Sequence, residues 1–207
     1  MIASLLLFAG TEFVLSLTPG PAVLLVISQG LRAGAKASLL GTLGIIAGNA
    51  IYFTVSALGL GALLMTSAVL FYAIKWVGAA YLITLGAKMI RESLQARFQA
   101  PSERVGEARH RWFRQGLLTQ LANPKAIVFF TALLPQFIDP QSGPALQLLV
   151  LGVISVFVEF PILVGYGVLA HQGGHWLRHG RAAQWIDRLA GAFLIGAGIR
   201  LVLVRRD

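Results

Sequence analysis

Apolar positions in this chain fall in long continuous runs, broken by proline, glycine and short clusters of charge, rather than in the alternation of a half-buried strand. No charged residue occurs between Lys36 and Lys75, a run long enough for one membrane span, a turn and the start of a second, since a spanning helix needs about 20 residues. A barrel would need repeated segments of about ten alternating residues, and the runs do not have that form. Six helical spans are predicted, at Ile2 to Ser28, Leu39 to Leu64, Ser67 to Met89, Phe113 to Phe137, Ala145 to Ala170 and Trp185 to Val204. The first segment has no basic leader, holds Glu12 and shows no small-residue cleavage site before Thr18-Pro19, so it reads as a retained span.

Two of these spans carry a helix breaker. Thr18-Pro19-Gly20-Pro21 interrupts the first and Asn123-Pro124-Lys125 the fourth, with Pro19 and Pro124 lying 105 positions apart. Proline removes a backbone donor, and lipid supplies no replacement, so such breaks survive only where protein or a watery cavity satisfies the freed groups. Corresponding breaks in two halves point to a transporter binding site. The expected fold is therefore an all-α membrane protein of six transmembrane helices arranged as a 3+3 inverted repeat. Residues 1–207 form a single transporter domain, with halves 1–90 and 113–207 joined by a basic linker 91–112. Pro19-Gly20-Pro21-Ala22-Val23 can be laid on Pro124-Lys125-Ala126-Ile127-Val128 as a faint echo between the halves.

Composition agrees with this picture. The chain is 57% hydrophobic and 12% charged, with mean hydropathy +0.75, whereas soluble domains carry about 25% charged residues. The net charge of +9 does not indicate nucleic acid as a partner, because the basic residues sit in short loops. Those after spans one, three and five hold Arg32, Lys36, Lys88, Arg91, Arg97, Arg104, Arg109, Arg111, Arg114, Arg178, Arg181 and Arg188, while the loops after spans two and four hold no Lys or Arg. By the positive-inside rule the basic loops are cytoplasmic and both termini lie outside, with Arg200, Arg205 and Arg206 dissenting. The chain has no cysteine, which removes disulfides, thiolate metal sites and dithiol redox chemistry.

Four ionisable residues fall inside the spans more than four residues from either end: Glu12, Lys75, Lys125 and Glu159. A charge near the bilayer centre costs at least about 2.5 to 3.5 kcal/mol on insertion scales, so such groups face a cavity or one another. Glu159, near the midplane of span five, is the leading candidate for proton coupling or cation binding, and Glu12 is the second. Lys125 follows the second break and can hold either a substrate carboxylate or the carbonyls released there. Lys75 lies close enough to a span end to snorkel. Thr18, Asn123 and Asn49 add hydrogen-bonding groups at the breaks and in span two. Gly44-Ile45-Ile46-Ala47-Gly48 has the small-xxx-small spacing of close helix contact, for which packing within the protomer is the better reading than a homodimer seam. Trp112, Trp176 and Trp185 are expected at the interface. His171, His175 and His179 share a helical spacing, but Gly173 and Gly174 are expected to interrupt it, so they read as interfacial rather than as a metal site. No histidine falls in any span, so a membrane enzyme is disfavoured.

Leu17-Thr18-Pro19-Gly20-Pro21, then Gly78-Ala79-Ala80-Tyr81-Leu82 through Gly86, then Phe113-Arg114-Gln115-Gly116, Asn123-Pro124-Lys125-Ala126 and Leu134-Pro135-Gln136-Phe137 resemble the RhtB-like branch of the lysine exporter superfamily over nearly the whole chain. The resemblance implies a secondary transporter of a bacterial inner membrane that exports amino acids or derivatives, such as homoserine, threonine, leucine or lysine. Protons are the implied coupling ion, and no cofactor is implied. It further implies that Pro19, Gly20, Pro21, Asn123, Pro124 and Lys125 belong to the transport site. Members often place a polar residue where Ala22 stands and many have an acid where Asn49 stands. The alternatives are a metal-cation transporter of the same superfamily, for which no cluster of intramembrane ligands is evident, and a membrane interaction protein without transport. The superfamily's electron-transfer relatives are excluded by the missing cysteines.

Overall fold

A computed structural model describes residues 2–58, 68–94, 105–139, 143–177 and 181–203, and every regular element among them is helical. The helices are α1 (Ile2–Leu17), α2 (Pro21–Ala33), α3 (Ala35–Ala57), α4 (Ala68–Leu94), α5 (Val105–Leu121), α6 (Pro124–Val128), α7 (Pro144–Leu177) and α8 (Arg181–Leu203). A π-helical turn (Phe129–Leu133) and a 3₁₀ turn (Leu134–Phe137) continue α6.

The predicted breakers act where they stand. Pro21 and Pro124 each occupy a first-turn position, where a missing N–H costs nothing and the fixed φ favours helix. The chain bends by 52° between Ala3–Leu17 and Pro21–Ala33, and by 46° between Arg109–Leu121 and Pro124–Phe137. Gly34 joins α2 to α3 at φ +88°, a left-handed geometry that side chains resist. Helices Ala35–Ala57 and Pro144–Gly173 are long and apolar enough to cross a bilayer, and each bent pair has the length and composition of one further span.

Glycine sets how closely the helices approach. A Cβ on Gly44 would overlap the Phe113 carbonyl, and one on Gly116 would overlap that of Gly41, so α3 and α5 meet backbone to backbone. Gly30 on α2 lies likewise against Gly167 on α7. Between α4 and α8 the contact is reciprocal: Gly86 faces Gly191, Ile195 packs on Gly86, and Ile90 packs on Gly191. Farther along, Gly198 meets Ile83, while Arg188 Nε donates to Ser93 Oγ at 3.2 Å. The partner on α4 recedes as α8 advances, so the two helices run antiparallel. Residues 86 and 191, 90 and 195, 83 and 188, and 93 and 198 each lie 105 positions apart, the spacing of Pro19 and Pro124.

Burial is concentrated in three clusters. One gathers Phe8, Phe53, Phe129, Phe130, Leu134 and Leu151 around the second break, one joins Leu25 to α4 and α8 through Leu82 and Leu194, and one packs Val23 and Val26 on Ile45 and Leu163. Large apolar side chains including Leu6, Val77, Leu146, Phe157 and Leu169 remain exposed, as lipid contact requires.

Several expectations shift. Helix reaches to Leu94 and resumes at Val105, so it occupies both ends of the linker expected over 91–112. Gly173 and Gly174 do not interrupt α7, which carries His171 and His175 through to Leu177, because continuous backbone hydrogen bonding tolerates glycine at modest cost. His179 and the side chains of His175, Lys75 and Trp176 lie outside the described residues. Trp185 is exposed, but Trp112 is buried rather than interfacial, with the Arg111 guanidinium 4.8 Å from its ring.

The glycine contacts generate a direct test. Gly116→Ala is expected to destabilise the protein by about 1 to 3 kcal/mol through overpacking, whereas Gly196→Ala, with no atom within 4 Å of the new Cβ, should be neutral or slightly stabilising. Unfolding in mixed micelles measures both, and equal stabilities would contradict the close α3–α5 contact.

Candidate functional site

Pro19 and Pro21 lack N–H groups, so the carbonyls of Leu15 and Leu17 lose their donors four residues on, Leu15 keeping only the Thr18 N–H at 3.1 Å. Both are met from the opposite half of the chain. Lys125 Nζ donates to Leu15 O at 2.7 Å and to Thr18 O at 3.2 Å, and Tyr166 Oη donates to Leu17 O at 3.0 Å. The Thr18 hydroxyl turns back to Val14 O at 2.8 Å. At the second break the backbone N–H of Lys125 leaves the helical ladder for Asn123 Oδ1 at 3.0 Å, and Tyr52 Oη fills the freed Leu121 carbonyl at 2.7 Å. Each break is thus sealed by side chains from the other half.

Between the breaks lies a cavity of about 30 Å³ lined by Glu12, Leu15, Ser16, Asn49, Gln120, Lys125, Ala126, Phe129, Phe130 and Glu159. It has room for a water molecule or two, and an amino acid enters only if the helices move. Glu12 and Glu159 are buried, and each is held by a polar side chain: Ser155 Oγ donates to Glu12 Oε1 at 2.7 Å, and Asn49 Nδ2 donates to Glu159 Oε2. Gln120 Nε2 donates to Asn49 Oδ1 at 2.6 Å, and Asn123 Nδ2 to Gln120 Oε1 at 3.1 Å. Lys125 interacts electrostatically with both carboxyl groups but gives its hydrogen bonds to the carbonyls of the first break. The widened turn at Phe129–Leu133 sets Phe129 and Phe130 side by side on the wall, their rings perpendicular with centroids 5.1 Å apart. π-Helical insertions of this kind recur at functional sites.

Four of the residues singled out from sequence share this wall: Glu12, Asn49, Lys125 and Glu159. The other six, Thr18, Pro19, Gly20, Pro21, Asn123 and Pro124, build the breaks beside it. Gly20 leaves the start of α2 without a side-chain cap, and its Cα region abuts the Lys125 ammonium, since a Cβ there would sit 3.6 Å from Nζ. Sequence reasoning missed Ser16, Gln120 and Ser155. Ser16 is one helical turn past Glu12, Ser155 one turn before Glu159, and Gln120 three residues before Asn123, so the turn-spaced polar neighbours of each acid and amide were a usable signal. Tyr52 and Tyr166 carried none, because a tyrosine in an apolar run reads as packing. Among the described residues no three His, Asp or Glu converge as a metal site.

Residues 13–205 match the family model described as LysE type translocator. An uncharacterized membrane protein of Vibrio cholerae is 36% identical over 94% of both chains. The homoserine/homoserine lactone efflux protein of Salmonella typhimurium is 31% identical, again over 94% of both. The threonine efflux protein of Escherichia coli is 31% identical over 99% of this chain and 100% of its own. No solved structure matches.

Sealing of the breaks is testable residue by residue. Tyr52→Phe leaves the Leu121 carbonyl bare and is expected to cost about 1 to 3 kcal/mol, the usual penalty for a buried unsatisfied acceptor. Chemical denaturation of the purified protein in micelles reads this, and wild-type stability would show that another donor serves that carbonyl.

Proposed function

The chain belongs to the LysE type translocator family, and from that premise we propose that it is a proton-coupled secondary transporter exporting amino acids or their derivatives across a bacterial inner membrane. One observation carries the reading most: two carboxyl groups and an ammonium from different helices surround one small cavity between two broken helices. That arrangement complements a zwitterion, which offers one group of each sign. Relatives named for homoserine and threonine efflux support small polar amino acids as the substrate class.

In this mechanism the substrate carboxylate docks at the uncapped start of α2 beside Gly20 and Pro21, where free amides and the helix dipole favour an anion. Lys125, already beside Gly20, turns from the Leu15 and Thr18 carbonyls to meet it. The α6 end suits this role less, because Asn123 already caps it. The substrate ammonium meets Glu159, with Asn49 and Glu12 nearby, and Glu159 exchanges a proton when substrate leaves. Glu12 is the second proton-coupling group.

Alternating access follows from six spans in two inverted halves, 1–90 and 113–207, within a single transporter domain. The antiparallel α4–α8 crossing, with partners repeated at a spacing of 105, supports that symmetry. The distribution of Lys and Arg supports cytoplasmic loops after spans one, three and five, with both termini outside.

Proteoliposomes preloaded with labelled homoserine, threonine, leucine or lysine test this. A proton gradient is expected to stimulate efflux of one class by the wild type. Glu159→Gln keeps an acceptor for Asn49 but cannot carry the exchanged proton, so its stimulation should fall to that of protein-free vesicles while substrate exchange persists. Unchanged stimulation in this variant would remove Glu159 from proton coupling.

A further inference from the structure

The amides at the cavity form a chain with a single direction. A backbone N–H can only donate, so the Lys125 N–H, 3.0 Å from Asn123 Oδ1, forces that oxygen to face it. The Asn123 amide nitrogen is thereby left to donate to Gln120 Oε1 at 3.1 Å, Gln120 Nε2 donates to Asn49 Oδ1 at 2.6 Å, and Asn49 Nδ2 donates to Glu159 Oε2. Reversing any one amide would set donor against donor at one end and acceptor against acceptor at the other. All three amides are buried, with Gln120 4% and Asn123 1% exposed, so bulk water does not compete for these links.

We infer that this chain makes the geometry of the second helix break depend on the ionisation of Glu159, with Gln120 as the positioning residue that transmits it. The inference rests on the exporter reading only for its role in transport. A hydrogen bond to a carboxylate is about twice as strong as one between neutral groups, and successive bonds polarise one another. When Glu159 is ionised the whole chain is drawn toward it, and Asn123 holds the start of α6 through the Lys125 N–H. When Glu159 carries a proton, the last bond becomes a neutral one and the hold on α6 relaxes. The proton resides on Glu159 Oε1, because Oε2 already accepts from Asn49. The other charged groups facing Glu159 are Glu12 from α1 and Lys125 from α6, and Gln120 substitutions leave both in place.

The sequence offers an unambiguous probe, because Pro124-Lys125 is its only Pro–Lys step. Carbonyl-carbon-labelled proline with nitrogen-labelled lysine therefore isolates the Lys125 amide in a solid-state magnetic resonance spectrum of the full chain in bilayers. In wild type this signal is expected to shift as pH is varied, and the shift should be lost in Glu159→Gln, which assigns it to that carboxyl. It should also be lost in Gln120→Met, which fills similar volume without hydrogen bonding. Gln120→Glu keeps the shape even if the methionine variant fails to fold. Its carboxyl can donate to Asn49 only when protonated, so its Lys125 signal should match wild type in acid and depart from it in base. A wild-type signal that ignores pH, a titration unchanged in Gln120→Met, or a Gln120→Glu signal that never departs from wild type would overturn the inference. Failure of wild-type efflux with the titration intact would overturn the exporter reading alone, and efflux without the titration would overturn the chain alone.

Discussion

A backbone group released by a helix break inside a membrane needs a partner in the protein or a watery cavity, and this chain supplies its freed carbonyls by crossing its halves. Lys125 and Tyr166 come from the second half to the carbonyls of the first break, and Tyr52 comes from the first half to the second. The consequence is mechanical as well as energetic. Neither half can move far at a break without surrendering bonds that only a substrate, a proton shift or a new pairing could replace. Lys125 stands at the centre of this arrangement, because one ammonium both seals the first break and interacts electrostatically with two buried carboxyl groups.

Close approach is what makes the crossing geometrically feasible. Lipid is as apolar as a leucine side chain, so helices in a bilayer associate through van der Waals packing and polar contacts rather than by expelling water. Gly44 and Gly116 between α3 and α5, Gly30 and Gly167 between α2 and α7, and Gly86 and Gly191 between α4 and α8 supply that packing. They leave the large residues free to face lipid or fill the aromatic cluster around Phe129 and Phe130. The α4–α8 crossing is also where the internal spacing of 105 is clearest, since both helices lie away from the breaks and have kept equivalent contacts.

What could be read directly from the sequence was whatever contrasts with an apolar background: the two proline breaks, the charged residues Glu12, Lys125 and Glu159, and Asn49. A charge or a proline in such a run has few harmless explanations, so its position is informative. Gln120, Ser16 and Ser155 contrast less, and only their helical spacing from Asn123, Glu12 and Glu159 distinguishes them. Tyr52 and Tyr166 contrast not at all, because what makes them necessary is the position of a carbonyl on a distant segment. Trp112 misled for the opposite reason: its place at a segment end suggests the interface, whereas its side chain is buried within the fold. Gly173 and Gly174 similarly look like breakers in sequence and are carried by the long helix around them.

The central claim is that the cavity between the breaks opens alternately to the two faces of the membrane. Because the chain has no cysteine, Ser16→Cys on the cavity wall provides a single thiol reporter in oriented vesicles, probed with membrane-impermeant reagent from each side. The account predicts labelling from both sides, with the ratio shifting when substrate or a proton gradient is applied. Labelling confined to one side under every condition would contradict it.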